Sequence, residues 1–213
     1  MPILTLTTDI GQRDYLVGAI KGQFVNLLPT VNICDITHYL SQTNFPQAAY
    51  TCNNAFIYYP PGTFHLIIVN LFETSVKYLL AAKYRNQYII CPDNGLLTMI
   101  TGTKPAEMIA IELDKQHTLL EITQQVAWTV SAIHDSGKLS AGGRPVSEIV
   151  EKYPLRATIG PNWMEGQILF IDNFENVVIN ITRAEFAEQR KGRNFKIVFK
   201  RNEIIDTISD NYT

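Results

Sequence analysis

The sequence predicts an α/β protein in two parts, a layered α/β domain followed by a small β-rich domain. Apolar residues make up 46% of the 213 residues, which is enough for a buried core. Over residues 1–143, stretches with strand patterning alternate with stretches at helical spacing, the order typical of layered α/β folds. From residue 165 to residue 213 short β-rich stretches dominate, and residues 144–164 are interpreted as a linker.

The elements of the first domain follow from hydrophobic periodicity and from the residues that end helices. Pro29 and the Pro60-Pro61-Gly62 segment end the first two predicted helices, and Arg85-Asn86 is predicted to be a hairpin turn. The predicted elements are, in order, strand Ile3–Thr7, a helix from Leu16 to Leu28, strand Val31–Ile36, helix Phe45–Tyr59, strands Phe64–Asn70, Tyr78–Tyr84 and Gln87–Cys91, a short helix opened by Asp93-Asn94-Gly95, strand Glu107–Leu113 and helix Glu121–His134.

The second domain is predicted from four short strand patterns around one helix. These are strands Gln167–Ile171, Val177–Ile181, Asn194–Lys200 and Glu203–Ile208, and helix Arg183–Arg190. A β unit of about 50 residues is marginally stable alone. We therefore expect it to need support from the first domain, from a neighbouring subunit or from sequence beyond Thr213.

Composition and charge exclude several classes of function. Eighteen basic residues against 20 acidic residues give a net charge of −2 without a basic stripe, so neither nucleic acid nor an anionic membrane is a predicted partner. No apolar run approaches the roughly 20 residues of a membrane span. Cys34, Cys52 and Cys91 are odd in number and widely spaced, which predicts reduced thiols and a cytoplasmic location.

The sequence lacks the motifs of several common chemistries. Its glycines form neither a dinucleotide-binding fingerprint nor a P-loop, and no nucleophile elbow is present. The four histidines are scattered and do not have the spacing of metal ligands. We therefore predict neither a bound metal nor a cofactor.

Acids and amides where predicted strands end remain as candidates for a binding site. Asp9 follows the first strand, at the crevice where open α/β sheets bind ligands, and a carboxylate there suits a ribose diol. Asp14 begins the next helix, where stabilisation of the helix dipole is the alternative. Other segments also have a structural alternative: a strand-end hydrogen-bond network for Asp35 and His38, a turn and helix cap for Asp93-Asn94-Gly95, and a hairpin turn for Asp172–Asn176.

The order of these segments along the chain resembles that of a known family. The matching motifs are Thr7-Thr8-Asp9-Ile10-Gly11, then Asp14, Val17-Gly18 and Lys21-Gly22, Asp35-Ile36-Thr37-His38, Ala48-Ala49-Tyr50, Pro60-Pro61-Gly62-Thr63, Pro92-Asp93-Asn94-Gly95-Leu96-Leu97 and Ile171-Asp172-Asn173-Phe174-Glu175-Asn176. Together they resemble the S-adenosylmethionine (SAM) hydroxide adenosyltransferase family, which is related to the fluorinase and chlorinase enzymes.

The resemblance implies a fold, an assembly and a set of ligand contacts. It implies an α/β N-terminal domain, a small β-barrel-like C-terminal domain, and a homotrimer with SAM between the N-domain of one subunit and the C-domain of its neighbour. By match, Asp9 would hold the ribose hydroxyls, and Asp14 and Asp172 would face the methionine ammonium. Asn176 would contact the adenine edge.

The residues that would surround the attacking water depart from the family pattern. Asn70 stands in place of an Asp, and it can orient a water but cannot accept its proton at neutral pH. Lys77 falls on an Arg position. The family His falls on Thr118 in an ungapped match, while a one-residue slip would restore His117, and both registers stay open.

The sequence therefore predicts a divergent, slow SAM hydrolase. Water would attack C5′ of SAM, which is the substrate, to give adenosine and methionine. A protein that holds SAM or adenosine without turnover is the alternative, and a trimeric scaffold with neither ligand nor activity is a third hypothesis. A halide in place of water also stays open. The C-terminal segment that completes the family's pocket has no counterpart before Thr213, so we expect the full gene product to extend further.

Overall fold

The structure, a computed structural model, describes residues 1–72, 77–113, 118–199 and 204–208. The chain divides into two compact units, Met1–Pro154 and Leu155–Thr213. The boundary lies inside the segment interpreted as a linker. Each unit is described by itself.

The first unit contains seven strands and four α-helices among its described residues. They are β1 (Ile3–Thr8), α1 (Leu16–Leu27), β2 (Asn32–Thr37), α2 (Phe45–Phe56), β3 (Phe64–Ile68), β4 (Tyr78–Tyr84), β5 (Gln87–Pro92), α3 (Leu96–Thr101), β6 (Met108–Glu112), α4 (Leu119–Ser136) and β7 (Arg144–Pro145), with a 3₁₀ turn at Leu139–Ala141. Across the described ranges, no helix is both long enough and apolar enough to cross a membrane.

The seven strands form one mixed sheet in the order β2-β1-β3-β5-β4-β6-β7. The strands β2, β1, β3 and β5 are parallel, whereas β4 is antiparallel to both β5 and β6. The ends of β1, β2, β3, β5 and β6 therefore meet the beginning of β4 at one side of the sheet. We call this side the carboxyl edge.

Helices cover both faces of the sheet, because alternate residues of its central strands are buried on opposite sides. Leu66 and Ile68 of β3 join the apolar cluster beneath α1 and α4. Ile67, between them, joins the cluster beneath α2 and α3. This arrangement confirms the predicted α/β class.

Local signals explain where the helices begin and where the hairpin turns. The Asn44 side chain accepts a hydrogen bond from the Gln47 amide at 3.1 Å and caps α2. Arg85 and Asn86 have φ of 48° and 60° and connect β4 to β5, which confirms the predicted turn.

Residues after β7 pack against the first unit and extend it to Pro154. The Val146 amide donates to the Met108 carbonyl at 3.2 Å, and the Lys152 amide donates to Thr98 Oγ1 at 2.9 Å. A Cβ on Gly95, which has φ of 96°, would lie 2.5 Å from the Lys152 side chain. The close approach of Lys152 thus requires glycine at position 95.

The second unit consists of short strand pairs and one helix. Its elements are β8 (Thr158–Ile159), β9 (Met164–Glu165), β10 (Ile168–Ile171), β11 (Val177–Ile179), α5 (Arg183–Arg190), β12 (Ile197–Val198) and β13 (Ile204–Ile205). The family resemblance implies a barrel-like arrangement, but the strands described in this unit pair only two by two, as β8–β9, β10–β11 and β12–β13. None of the described residues of this unit is fully buried, and Phe174 and Val198 are exposed. Separate two-stranded sheets gain little from burial.

A buried histidine in the first unit makes its stability dependent on pH. His65 of β3 is fully buried and stacks on Phe56 with ring centroids 3.7 Å apart. Its Nδ1 lies 2.7 Å from Thr5 Oγ1. Burial lowers the pKa of His65 to about 4, against a smaller opposing effect of Gln87. The folded protein therefore resists protonation of a side chain that accepts a proton readily when unfolded.

We expect acid to destabilise the first unit before its carboxylates titrate. The unfolded His65 binds a proton below pH 6.5, whereas the folded one does not until about pH 4. Stability should therefore fall by about 3 kcal/mol across that window and be unaffected by this group above it. Urea unfolding at pH 7, 5.5 and 4.5 measures the slope. In His65→Leu the slope should flatten, and an unchanged slope would contradict the assignment.

Candidate functional site at the carboxyl edge

Three of the predicted site residues lie at the carboxyl edge. Asp9 follows β1 directly, Asn70 lies two residues after β3, and Lys77 directly precedes β4. They share this edge because β4 runs opposite to β1 and β3. Open α/β sheets bind their ligands outside this edge, in the crevices between strand ends.

Asp9 lies in a turn whose backbone is fixed by neighbouring strands. Its amide donates to the Ile68 carbonyl at 3.1 Å, and its Oδ2 accepts from the Asn70 amide at 2.8 Å. The turn continues through Gly11, which has φ of 74°, where a side chain would be strained. The structure thus joins Asp9 and Asn70, which are 61 residues apart in sequence.

Asn70 holds two loops together and adopts a backbone conformation that few residues accept. Its φ is 54°, in the left-handed region that asparagine tolerates better than most side chains. Its Nδ2 donates to the Gln42 carbonyl at 3.0 Å. The carboxamide therefore has a structural role in addition to the role near a bound water that the sequence predicts.

Lys77, Thr118 and His117 are the other residues predicted to surround the water, and the structure describes the first two. Lys77 is exposed, and its carbonyl accepts from the Leu113 amide at 3.4 Å. Thr118 is the N-cap of α4, where it forms a capping box with Glu121: its amide donates to Glu121 Oε2 at 2.7 Å. His117 lies outside the described residues.

Asp14 lies at the surface, two residues before the first helix. It is exposed, and its Oδ1 accepts from the Leu16 amide at 2.9 Å. This contact satisfies one of the amides that a helix leaves unpaired at its N-terminus. The structural alternative stated for Asp14 is therefore present, and it is compatible with a carboxylate that also faces a ligand.

Asp172 and Asn176 form a compact turn between β10 and β11 of the second unit. Asp172 Oδ1 accepts from the amides of Phe174 at 2.8 Å and Asn176 at 2.9 Å, and Asn176 Nδ2 donates to Asp172 Oδ2 at 3.1 Å. Desolvation is the largest single effect and raises the pKa of Asp172, but the hydrogen bonds from Asn176 and Phe174 together outweigh it and lower the pKa. Asp172 is therefore a stable anion at neutral pH.

The buried thiols do not provide a nucleophile. All three cysteines are free, and Cys52 and Cys91 are fully buried. Burial raises the pKa of Cys52 to about 12 and that of Cys91 further, whereas nucleophilic attack needs a thiolate. Within the described ranges, no three histidine, cysteine or acidic side chains are grouped so that they could hold a metal ion.

Two polar features of the edge were recognised in the sequence only in part. The strand-end network predicted as the alternative for Asp35 and His38 is present, but it also includes Lys21 and Thr8. Asn94 is buried, and its Nδ2 donates to the Val69 carbonyl at 3.0 Å, which ties the segment after β5 to the end of β3. The sequence feature that identified both segments was their position at the end of a predicted strand.

An open α/β sheet with a cluster of polar groups at its carboxyl edge is the architecture of ligand-binding α/β proteins. Residues 4–135 match the profile of the SAM hydroxide adenosyltransferase N-terminal domain. The match covers more than half of the chain, so the chain belongs to the SAM hydroxide adenosyltransferase family.

Two similar proteins bear names that describe an activity. An (R)-S-adenosyl-L-methionine hydrolase of Methanocaldococcus jannaschii is 28% identical over 189 residues, which covers 87% of this chain and 69% of the relative. A protein of the same name from Salinispora tropica is 28% identical over 118 residues. That match spans 55% of this chain and 45% of the relative, less than half its length.

Solved structures support the fold. A crystal structure of a conserved protein from Thermotoga maritima superposes with a TM-score of 0.76 at 23% identity, and covers 89% of this chain and 74% of its own. One from Thermus thermophilus superposes with a TM-score of 0.67, also at 23% identity, over 84% and 72% of the two chains. At this level of identity the likeness concerns the fold alone.

Proposed function

We propose that the protein is a slow SAM hydrolase. Water forms a bond to C5′, the C5′–sulfur bond breaks, the electron pair stays on the methionine sulfur, and one proton is released with adenosine and methionine. Family membership and the names of the similar proteins support this reaction. The observation that carries it furthest is the Asp9 carboxylate at the carboxyl edge, fixed by the Asn70 amide.

The proposal assigns binding roles to four residues. The Asp9 carboxylate accepts hydrogen bonds from the ribose hydroxyls, for which its place after β1 is suited. Asp14 and Asp172 pair with the methionine ammonium, because an ionised carboxylate forms charge-assisted hydrogen bonds with such a cation. Asn176 contacts the adenine edge through its carboxamide.

The reaction is proposed to be slow because the water lacks a strong base. The sulfonium is already a good leaving group, so the protein must position the water, exclude bulk solvent and take up a proton. Asn70 orients the water and Lys77 supplies a nearby positive charge. The third position belongs to His117 or to Thr118, and the capping box of Thr118 favours His117 for contact with the water.

The proposal also includes an assembly and a location. Apolar side chains of the second unit are exposed, which supports burial against another subunit in a homotrimer. Free thiols support a reducing compartment, the cytoplasm.

Product analysis tests the reaction. Purified protein is incubated with SAM in ¹⁸O-labelled water, and adenosine and methionine are separated by chromatography. Equal amounts of both above a buffer control, with the label in the adenosine 5′-hydroxyl, are the expected result. If product forms only at the rate of the buffer control but SAM raises Tm, the protein binds SAM without hydrolysing it, and the hydrolase proposal is wrong. If no product forms and millimolar ligand causes no thermal shift, both the hydrolase and the binding protein are ruled out.

A further inference from the structure

A chain of polar side chains leads from the surface of α1 to the turn that holds Asp9. Lys21 Nζ lies 2.5 Å from Asp35 Oδ2, and Asp35 Oδ1 lies 3.2 Å from His38 Nε2. His38 Nδ1 lies 2.9 Å from Thr8 Oγ1, and both of these side chains are buried. The residue that follows Thr8 is Asp9.

The Asp35 carboxylate determines which of these side chains donates a hydrogen bond and which accepts one. Asp35 Oδ1 lies close to His38 Nε2 but outside hydrogen-bond geometry, so the Asp35 carboxylate acts through its negative charge and favours the imidazole tautomer with the proton on Nε2. His38 Nδ1 is then an acceptor, and the Thr8 hydroxyl donates to it. The oxygen lone pairs of Thr8 are left to accept from the Ile10 amide, which lies 3.4 Å away. Desolvation raises the pKa of Asp35, but the hydrogen bond from Lys21 and the nearby His38 outweigh it and lower the pKa, which keeps Asp35 ionised.

The same residues hold the backbone of the turn. The Gly11 amide donates to the His38 carbonyl at 2.7 Å, and the Leu40 amide donates to the Thr8 carbonyl at 3.2 Å. The turn from Thr8 to Gly11 is thus attached on both sides to the segment that follows β2. A carboxylate held on such a turn loses little conformational entropy when it binds a ligand.

We propose that Asp35, His38 and Thr8 form a positioning relay that orients the Asp9 turn for the ribose of SAM, and this inference rests on the proposed function. The relay residues do not contact the ligand and take no part in the bond changes. They determine how tightly SAM binds through the direction of one buried hydrogen bond. Because Asp9 would contact the ribose both before and during reaction, the relay should affect KM more than kcat.

The test compares two matched substitutions on the same strand. Thr8→Val removes the hydroxyl that contacts His38, and Thr5→Val removes the equivalent hydroxyl that contacts His65, away from Asp9. Each variant loses one buried hydrogen bond, and the shape of the side chain changes little. We expect Thr8→Val to weaken SAM binding by roughly tenfold and to change kcat by less than about threefold. Thr5→Val should bind SAM as the wild type does, and Thr8→Ser should restore affinity.

A second variant tests the direction of the relay without removing a buried group. Asp35→Asn keeps the shape but offers an amide that can donate to His38 Nε2, which allows the reversed tautomer. Calorimetric titration with SAM should show affinity reduced several-fold at nearly unchanged Tm. Wild-type affinity in both Thr8→Val and Asp35→Asn would overturn the relay and leave the proposed function intact.

A measurement without ligand decides the case in which the wild type does not bind SAM. Hydrogen exchange at the amides of Asp9, Ile10 and Gly11 should be faster in Thr8→Val than in Thr5→Val, because only the first variant loosens the turn. Equal exchange in the two variants overturns the relay. If exchange is faster in Thr8→Val but the wild type does not bind SAM, the relay stands and only the proposed function is contradicted.

Discussion

Asp9→Asn is expected to remove most of the stabilisation that SAM gives the protein. The substitution keeps the shape and an oxygen for the Asn70 amide, but it replaces a charged acceptor by a neutral group with only one acceptor oxygen. Loss of a charge-assisted hydrogen bond costs about 1.5–3 kcal/mol, so SAM and adenosine should bind about 10- to 100-fold more weakly. Thermal shift over a ligand series measures this loss directly.

The comparison needs variants that separate binding from folding. Asp9→Ala removes the Asn70 contact as well, so its Tm without ligand should fall below that of Asp9→Asn. Asp135→Asn changes an exposed carboxylate of α4 and should leave the ligand response unchanged. If Asp9→Asn keeps the full response to SAM, the assignment of Asp9 to the ribose is wrong.

Asn70→Asp is expected to accelerate the release of adenosine while it destabilises the protein. A carboxylate at this position can take the proton from water, and a general base contributes about 10²–10⁴-fold in typical enzymes. We expect a gain of at least about tenfold, below most of that range, because the neighbouring Asp9 disfavours a second negative charge and leaves part of the new carboxyl group protonated and unable to act as a base. The rate of adenosine formation at saturating SAM, followed from pH 5 to 9, measures the gain.

The cost in stability has a separate cause. The new carboxylate can no longer donate to the Gln42 carbonyl, and the lost hydrogen bond costs about 1 kcal/mol. Asn70→Gly is the matched control, since glycine accepts the positive φ but has no side chain. It should lose stability without any gain in rate. A gain in Asn70→Gly equal to that in Asn70→Asp would rule out base catalysis as the reason.

The first unit was largely predictable because its signals are local. Apolar periodicity located α2 and α4, and Arg85-Asn86 located the hairpin between β4 and β5. Sequence alone places Asp9 and Asn70 each at the end of a predicted strand, but it does not predict the contact between them. The side-chain hydrogen bonds could not be predicted, because they depend on register.

The relay illustrates the limit most clearly. Thr8 contacts His38 only because β1 and β2 pair in parallel with a register shift between Leu6 and Thr7. Nothing in the local sequence encodes that shift. The docking of residues 144–154 was missed for a related reason, since it depends on backbone contacts such as that of Lys152 with Thr98 rather than on an apolar pattern.

The reversed direction of β4 has a consequence for how such a protein can evolve. Because β3 ends and β4 begins at the same edge, Asn70 after β3 and Lys77 before β4 both lie at the rim of the sheet. Substitutions at these two positions can alter the proposed reaction while the anchoring strands keep their pairing. A lineage can thus exchange its chemistry at this rim and inherit unchanged the sheet that carries Asp9, the residue proposed to hold the ribose.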